Sequence, residues 1–283
     1  MESMRKRILS GVAVAGALVW TMAGTAAGAE RLVVPLSDPA KPAELEVSLV
    51  MGSIKVTGSA TREVVIEAKA RDESAAADDE EGGRETPPNR AGMRRISNTS
   101  IGLEAEEERN KVSISAESWA RPVDLEIQVP VGSTVRLSTV NDGDIEVDNI
   151  DGEVEVNNTN GEIRVTNVRG PVSANTVNGD VSVVFRGAMV AAPMAFSTLN
   201  GDVDVTFPAD LKADVRIRSD NGEIYADFDI ALDKKAASLE EEHQKGRYHV
   251  VVAREMTGKI NGGGPELLFK TFNGDILLRR AKN

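Results

Sequence analysis

Glycine recurs every nine residues at Gly143, Gly152, Gly161, Gly170 and Gly179, and each opens a short run of alternating apolar and polar residues. The runs read Asp142-Gly-Asp-Ile-Glu-Val, Asp151-Gly-Glu-Val-Glu-Val, Asn160-Gly-Glu-Ile-Arg-Val, Arg169-Gly-Pro-Val-Ser-Ala and Asn178-Gly-Asp-Val-Ser-Val. A fixed period marks a stacked-repeat architecture and constrains the fold more than any other feature of the chain. Apolar side chains fall two and four places after each glycine, as Ile145/Val147, Val154/Val156, Ile163/Val165, Val172/Ala174 and Val181/Val183. This period of two is the pattern of a half-buried strand. Another apolar residue usually stands two places before the glycine (Ile150, Val168, Val177), with Thr159 the polar exception. Asn-Gly and Asp-Gly supply positive φ at little steric cost, so each junction is expected to be a tight turn. One such strand cannot bury its apolar face alone, but a stack of them can.

The glycines alternate in character. Asn/Asp-Gly followed by Asp/Glu recurs at Gly143, Gly161, Gly179, Gly201 and Gly222, at spacings of 18, 18, 22 and 21 residues. Weaker turns at Gly152, Gly170 and Gly187 lie between them, so one coil comprises two halves of about nine residues. Met51-Gly-Ser-Ile-Lys-Val56 is an early copy that opens the stack, and Thr271-Phe-Asn-Gly-Asp-Ile-Leu-Leu278 a final copy that closes it. Roughly eight coils at ~4.8 Å would make a rod about 40 Å long. The expected fold is therefore all-β, a single-domain parallel β-solenoid (β-helix-like) with coils of about 18–22 residues and irregular strand caps. The competing architecture is a series of antiparallel hairpins at the Asn-Gly turns, forming a sandwich or barrel.

Residues 1–29 have the form of a Sec-type signal peptide: Arg5-Lys6-Arg7, an apolar stretch from Gly11 to Trp20, and small residues at Ala27-Gly-Ala29. An uncleaved anchor is the alternative; after cleavage no transmembrane span is expected. The expected location is thus exported, in the periplasm or at the cell surface or outside it. The chain has no cysteine, which excludes a lipid-attachment cysteine, disulfides, Cys-based zinc sites and thiol catalysis. Its formal net charge of −12, more acidic still without the leader, repels nucleic-acid backbones and anionic membranes. Aromatics make up only 4% of the residues, and Trp119 is the one tryptophan beyond the leader, leaving little material for a deep sugar-binding cleft.

Residues 30–283 are expected to form one domain. Strands are expected at Glu44–Val50, Glu63–Ala68, Lys111–Ser115, Val123–Val129 and Tyr248–Val252. Residues 71–100 are acidic and small at first, then carry Pro87-Pro88 and Arg94-Arg95, the composition of a mobile surface arm. The regular repeat core spans 133–230. A charged insertion at 233–247 interrupts it, with Ala236, Ala237, Leu239 and Glu240–Glu242 suited to one or two helical turns or a loop.

Val123-Asp-Leu-Glu-Ile-Gln-Val-Pro130, the Asn-Gly-Asp/Glu repeats, Ile260-Asn-Gly-Gly-Gly-Pro-Glu and Thr271-Phe-Asn-Gly-Asp-Ile276 together make residues 43–280 resemble the bacterial putative-adhesin family of exported β-strand-repeat proteins, a domain of unknown function. The terminal Asn-Gly-Gly-Gly-Pro with Phe-Asn-Gly-Asp is the more specific part of that likeness. The resemblance implies a β-solenoid at the envelope or outside the cell and no established catalytic activity, and it brings no catalytic residues. The arm at 71–100 and the insertion at 233–247 depart from the family pattern.

If the strong turns stack, Asp144, Glu162, Asp180, Asp202 and Glu223 line one edge, with Asn160, Asn178, Asn200 and Asn221 two positions before the last four. Hard cations take oxygen ligands, so this column is the candidate calcium site. The Gly-Gly-x-Gly-x-Asp pattern of calcium-binding nonapeptides is absent. The plainer reading is turn geometry, side-chain ladders and a soluble edge. Paired carboxylates could serve a carbohydrate-active β-helix enzyme; here the acids repeat with the turns instead of standing out singly. His243 and His249 do not make a His-Glu-x-x-His site, no Gly-x-Ser-x-Gly elbow exists, and Gly262–Gly264 lacks the Lys-Ser/Thr of a phosphate loop. No enzyme, cofactor or committed metal site is expected. The expected role is a non-catalytic structural or adhesin-like binding module of the bacterial cell envelope, touching an envelope protein or glycan and no nucleic acid. The alternatives are the carbohydrate-active enzyme and a calcium-binding envelope sensor or regulatory protein. Glu146, Glu155, Arg164, Ser173, Ser182 and Asp204, three places after their glycines, are the binding-face candidates.

Overall fold

Alternation in the sequence becomes alternation in burial. Val181–Phe185 buries Val181, Val183 and Phe185 and turns Ser182 and Val184 outward, and Ile145–Asp148 does the same with Ile145 and Val147. In the computed structural model the described residues are 29–71, 102–116, 122–233, 239–244, 247–252 and 255–282. All of the expected leader but Ala29, all of the expected arm but Arg71, and Trp119 fall outside them. Every regular element in the described residues is a strand, and no helix there is long and apolar enough to cross a membrane.

In chain order the strands before the repeats are β1 (Ala29–Pro35), β2 (Glu44–Ser48), β3 (Ile54–Ser59), β4 (Glu63–Ala70), β5 (Leu103–Glu108), β6 (Lys111–Ala116), β7 (Val123–Pro130) and β8 (Thr134–Thr139). The repeats supply β9 (Ile145–Asp148), β10 (Val154–Asn158), β11 (Ile163–Val168), β12 (Val172–Asn175), β13 (Val181–Phe185), β14 (Met194–Ser197) and β15 (Val203–Phe207). After them come β16 (Ala213–Asn221), β17 (Ile224–Ala226), β18 (Ile230–Leu232), β19 (Leu239–Gln244), β20 (Arg247–Val252), β21 (Glu255–Ile260), β22 (Glu266–Asn273) and β23 (Ile276–Arg280).

Two sheets face each other. The first has ten strands in the order β1-β4-β7-β3-β9-β11-β13-β15-β23-β17, and the second eleven in the order β18-β21-β16-β22-β14-β12-β10-β8-β2-β6-β5. Through the repeats the chain alternates between sheets, each strand pairing in parallel with the strand two places on. An Asn-Gly turn therefore joins strands of different sheets. It is a solenoid corner and not a hairpin, and the protein is a parallel β-solenoid. The coil is 18 residues where Glu162 meets Asp144 and 22 where Asp202 meets Asp180. The loop at 186–193 accounts for the longer coil.

Equivalent apolar residues stack in rows between the sheets. Ile54, Ile145, Ile163, Val181, Val203 and Ile276 form one row in register. Each is 0 or 1% exposed. Burying an aliphatic side chain of this size stabilises by roughly 1.5–3 kcal/mol, which is why a coil is stable only between neighbours. Where the coils lengthen, rings fill the added space. Phe185 stacks on Phe207 at 5.1 Å and Phe196 on Phe269 at 5.2 Å, with Phe207 edge-on to both Phe196 and Phe269.

The ends depart from chain order. The β2–β3 coil does not open the stack; it lies between β6–β7 and β8–β9. The β22–β23 coil does not close it either, being inserted between β14–β15 and β16–β17. Both copies thereby have partners on each edge. Antiparallel strands cover most of the outer edges: β4 and β1 beyond β7, β5 beyond β6, and β21 and β18 beyond β16. Such covers limit the open edges on which other chains could pair. Leu239–Gln244, read from sequence as helical turns or loop, is strand β19, paired antiparallel with β20. The β-branched run Val250–Val252 supplies a partner that outweighs the weak local helical preference.

Candidate functional site

The strong turns build one edge of the solenoid from three interlocking ladders. The glycines come first. Gly161, Gly179, Gly201 and Gly274 have φ between 144° and 150°. A Cβ at any of them would lie 2.0–2.2 Å from the carbonyl oxygen of the glycine one coil back. Gly143 and Gly222 have no such φ, yet their Cβ would lie 1.9 Å from the equivalent oxygen. Close approach of backbones, more than turn conformation, is what requires glycine at every coil.

That carbonyl is then satisfied by the next coil. Thr176, Thr198 and Thr271 donate Oγ1–H to Gly161, Gly179 and Gly201 at 3.1, 2.9 and 3.0 Å, and Asn158 Nδ2 donates to Gly143 at 2.9 Å. Replacing Thr198 by valine keeps the shape and removes the donor from a buried position. The expected loss is about 1–2 kcal/mol in urea unfolding with an unchanged m-value; an unaltered midpoint would mean the bond contributes nothing.

Asparagines form the second ladder. Nδ2 of Asn160, Asn178, Asn200 and Asn273 donates to Oδ1 of Asn141, Asn160, Asn178 and Asn200 at 2.7–2.9 Å, and Asn221 continues it to Asn273 at 3.1 Å. Stacked amide ladders of this kind rigidify a parallel sheet edge.

The acidic column is the third. Asp144 Oδ1 accepts the backbone N–H of Glu162, and Asp180 Oδ1 that of Asp202, each at 2.8 Å. Asp202 and Glu223, expected to be neighbours, are separated by Asp275, which bonds to both through the same ladder at 2.7 and 2.8 Å. The carboxylates Asp144, Asp180, Asp202 and Asp275 thus spend an oxygen on the adjoining coil's backbone. Among the described residues no group of three or more His, Cys, Asp or Glu is arranged to hold a metal ion. Arg71 closes one end of the column: it pairs with Asp124, donates to the Asp142 carbonyl at 2.9 Å and to Ser53 Oγ at 3.1 Å. Burial pushes the Asp124 carboxyl up, but its bonds from Arg71 and the Ser53 N–H hold it below the ordinary value. At the other end the Tyr225 hydroxyl donates to Glu223, which raises the pKa of that phenol.

The six binding-face candidates do not share a face. Glu146, Arg164, Ser182 and Asp204 adjoin one another on the first sheet, whereas Glu155 and Ser173 lie on the second. Four of them sit in ion pairs: Glu146 with Lys55 at 3.2 Å, Arg164 with Glu162 at 3.5 Å, Asp204 with Arg279 at 2.7 Å and Glu155 with Arg136 at 3.5 Å. An open hollow of about 270 Å³, lined by Met189, Pro208, Leu211 and Leu267 among others, has Asp210 as its one carboxylate. Lys212 lines it too, and it holds no pair of carboxylates.

The feature missed from sequence is an exposed apolar column. Ile150 and Val168, two places before weak-turn glycines, are buried, but Val177, in the same place before a strong turn, is 38% exposed. Leu199 and Phe272 repeat that position at 47% and 46% exposed. The strong/weak distinction, applied to this position, was the signal that could have found the column.

The regular repeats fall within a family match over residues 32–261, the model being that of Toastrack DUF4097. The chain belongs to the Toastrack DUF4097 family. The Toastrack match ends at 261, so Gly262–Pro265 and Thr271–Ile276, the segments most specific in the sequence resemblance, lie beyond it. Two solved structures are similar to this Toastrack chain. One is a putative cell adhesion protein from Clostridium sporogenes ATCC 15579, 11% identical, with 89% of this chain and 99% of that one covered at a TM-score of 0.49. The other is a putative adhesin from Bacteroides fragilis NCTC 9343, also 11% identical, with 90% and 98% covered at a TM-score of 0.36. No curated protein matches the chain.

Proposed function

We propose that the protein is an exported, non-catalytic, adhesin-like binding module of the bacterial cell envelope. The observation that supports this reading is the strong-turn edge, where the same side chains recur coil after coil on a scaffold of ladders. A surface of that kind suits many weak, identical contacts whose sum gives avidity. The Arg5–Arg7, apolar and Ala27–Ala29 pattern of the first residues supports export. Among the described residues Asp144, Asp180, Asp202 and Asp275 follow the period of the strong turns and each gives an oxygen to a backbone N–H, which favours contact over chemistry.

The test is retention of the purified full chain on isolated bacterial envelopes. Saturable retention is expected, independent of excess calcium or chelator, with no reducing ends or unsaturated sugars released from a polysaccharide panel. Absence of retention would remove the binding-module reading. Released sugar would establish the carbohydrate-active enzyme, and calcium-dependent retention the calcium-binding sensor.

A further inference from the structure

The exposed column runs through six coils. Asn141 donates its backbone N–H to Val50, Asn160 to Val140, Asn178 to Thr159, Asn200 to Val177 and Asn273 to Leu199, which places Val50, Val140, Thr159, Val177, Leu199 and Phe272 in one line. Its apolar members are 38–49% exposed. On one side of the line runs the asparagine ladder. On the other runs an outward row of the second sheet, Ser48, Ser138, Asn157, Asn175 and Ser197, paired in register. In a chain whose residues are 28% charged, these three rows carry no charge from the Val50 coil to the Leu199 coil. Charge returns at Lys270, Arg218 and Asp220, at one end of the strip.

We infer that this strip is a docking track for an uncharged linear polysaccharide laid along the stack. This rests on the binding-module reading and gives that module its partner. Aliphatic side chains and Phe272 suit the C–H faces of sugar rings, while amides and hydroxyls, able both to donate and to accept, suit sugar hydroxyls on either side. The uncharged strip offers no ion pair to an anionic polymer, and the acidic column beside it repels one. The apolar line in the strip is one side chain wide, whereas a stable protein–protein interface needs about 800 Å² from each partner. A second copy is further opposed by the net charge of −12 and by the acidic column beside the strip. The ladder holds the asparagine amides in place before any ligand arrives, so little ordering entropy is lost at that row on binding.

The experiment is affinity electrophoresis of the full chain through gels holding hydroxyethyl cellulose, β-1,3-glucan or dextran, with carboxymethyl cellulose as the charged counterpart. At least one neutral polymer is expected to retard the chain more strongly than the charged one does. The triple replacement Val177→Ser, Leu199→Ser and Phe272→Ser is expected to raise the apparent Kd at least tenfold with far-UV circular dichroism unchanged. Should the triple variant not fold, Leu199→Glu alone, an exposed change that puts a charge on the strip, is expected to give the same loss. Retardation that survives these changes, or equal retardation by carboxymethyl cellulose, would overturn the inference. Failure of every neutral polymer would overturn it too, with envelope retention still deciding the module reading. A concentration-dependent dimer abolished by the same variants would assign the strip to a second copy instead.

Discussion

Alanine at Gly179 is expected to destabilise the protein by about 4 kcal/mol or more, at the extreme of single substitutions. The added methyl would lie 2.2 Å from the Gly161 carbonyl oxygen and 2.6 Å from its carbon, and the residue holds φ at 147°. Both obstacles are backbone. Relief requires separating two coils, which breaks the ladder bonds on that edge together, from Asn178–Asn160 to Thr198–Gly179. Gly132→Ala is the control, since nothing lies within 4 Å of a Cβ there and no positive φ is required; its expected change is within about 0.5 kcal/mol. Urea unfolding of the two variants reads the difference. If Gly179→Ala costs no more than Gly132→Ala, the coils do not approach as closely as described.

The second large effect is expected at Phe207, whose replacement by alanine should cost about 3–5 kcal/mol. Its ring is 0% exposed and touches Phe185, Phe196 and Phe269, so its removal empties a space bounded by β13, β14 and β22. Little backbone adjustment can close that space, because strands on either side are fixed by parallel ladders. Phe272→Ala, the same chemical change at a ring 46% exposed, is expected to be nearly neutral for stability. Equal losses at the two positions, measured by thermal or urea unfolding, would sink the assignment of inside and outside in the last coils.

Much of the fold was legible in advance because it is local. Ile145, Val147, Ile163, Val165, Val181 and Val183 point inward as their alternation requires, and the Asn-Gly turns fall where the period puts them. The two ends were not legible. An interior coil and a terminal coil have the same pattern, so nothing in Met51–Val56 or Thr271–Leu278 says that each is covered on both edges. The acidic column was misread for the same reason: Asp275 stands between Asp202 and Glu223 in space and after both in sequence. Glu240–Glu242 suggested helical turns because glutamate favours helix over strand by itself; the antiparallel pairing with β20, which follows β19 after two intervening residues, overrides that preference. The apolar strip was half visible, since Val177 was grouped with Ile150 and Val168, which look identical until strong and weak turns are separated.

By itself the sequence determined the all-β class, the coil length, the inward residues and the glycine at each strong corner, since all of these follow from φ preferences and from a period of two repeated at a period of nine. Only the tertiary structure decided the order in which coils stack, the division of the outward residues between two opposite sheets, and the line of exposed apolar side chains between two uncharged rows. These are properties of which strand lies beside which. Parallel pairing between coils is set by long-range contacts that many residues share, and no single segment encodes them.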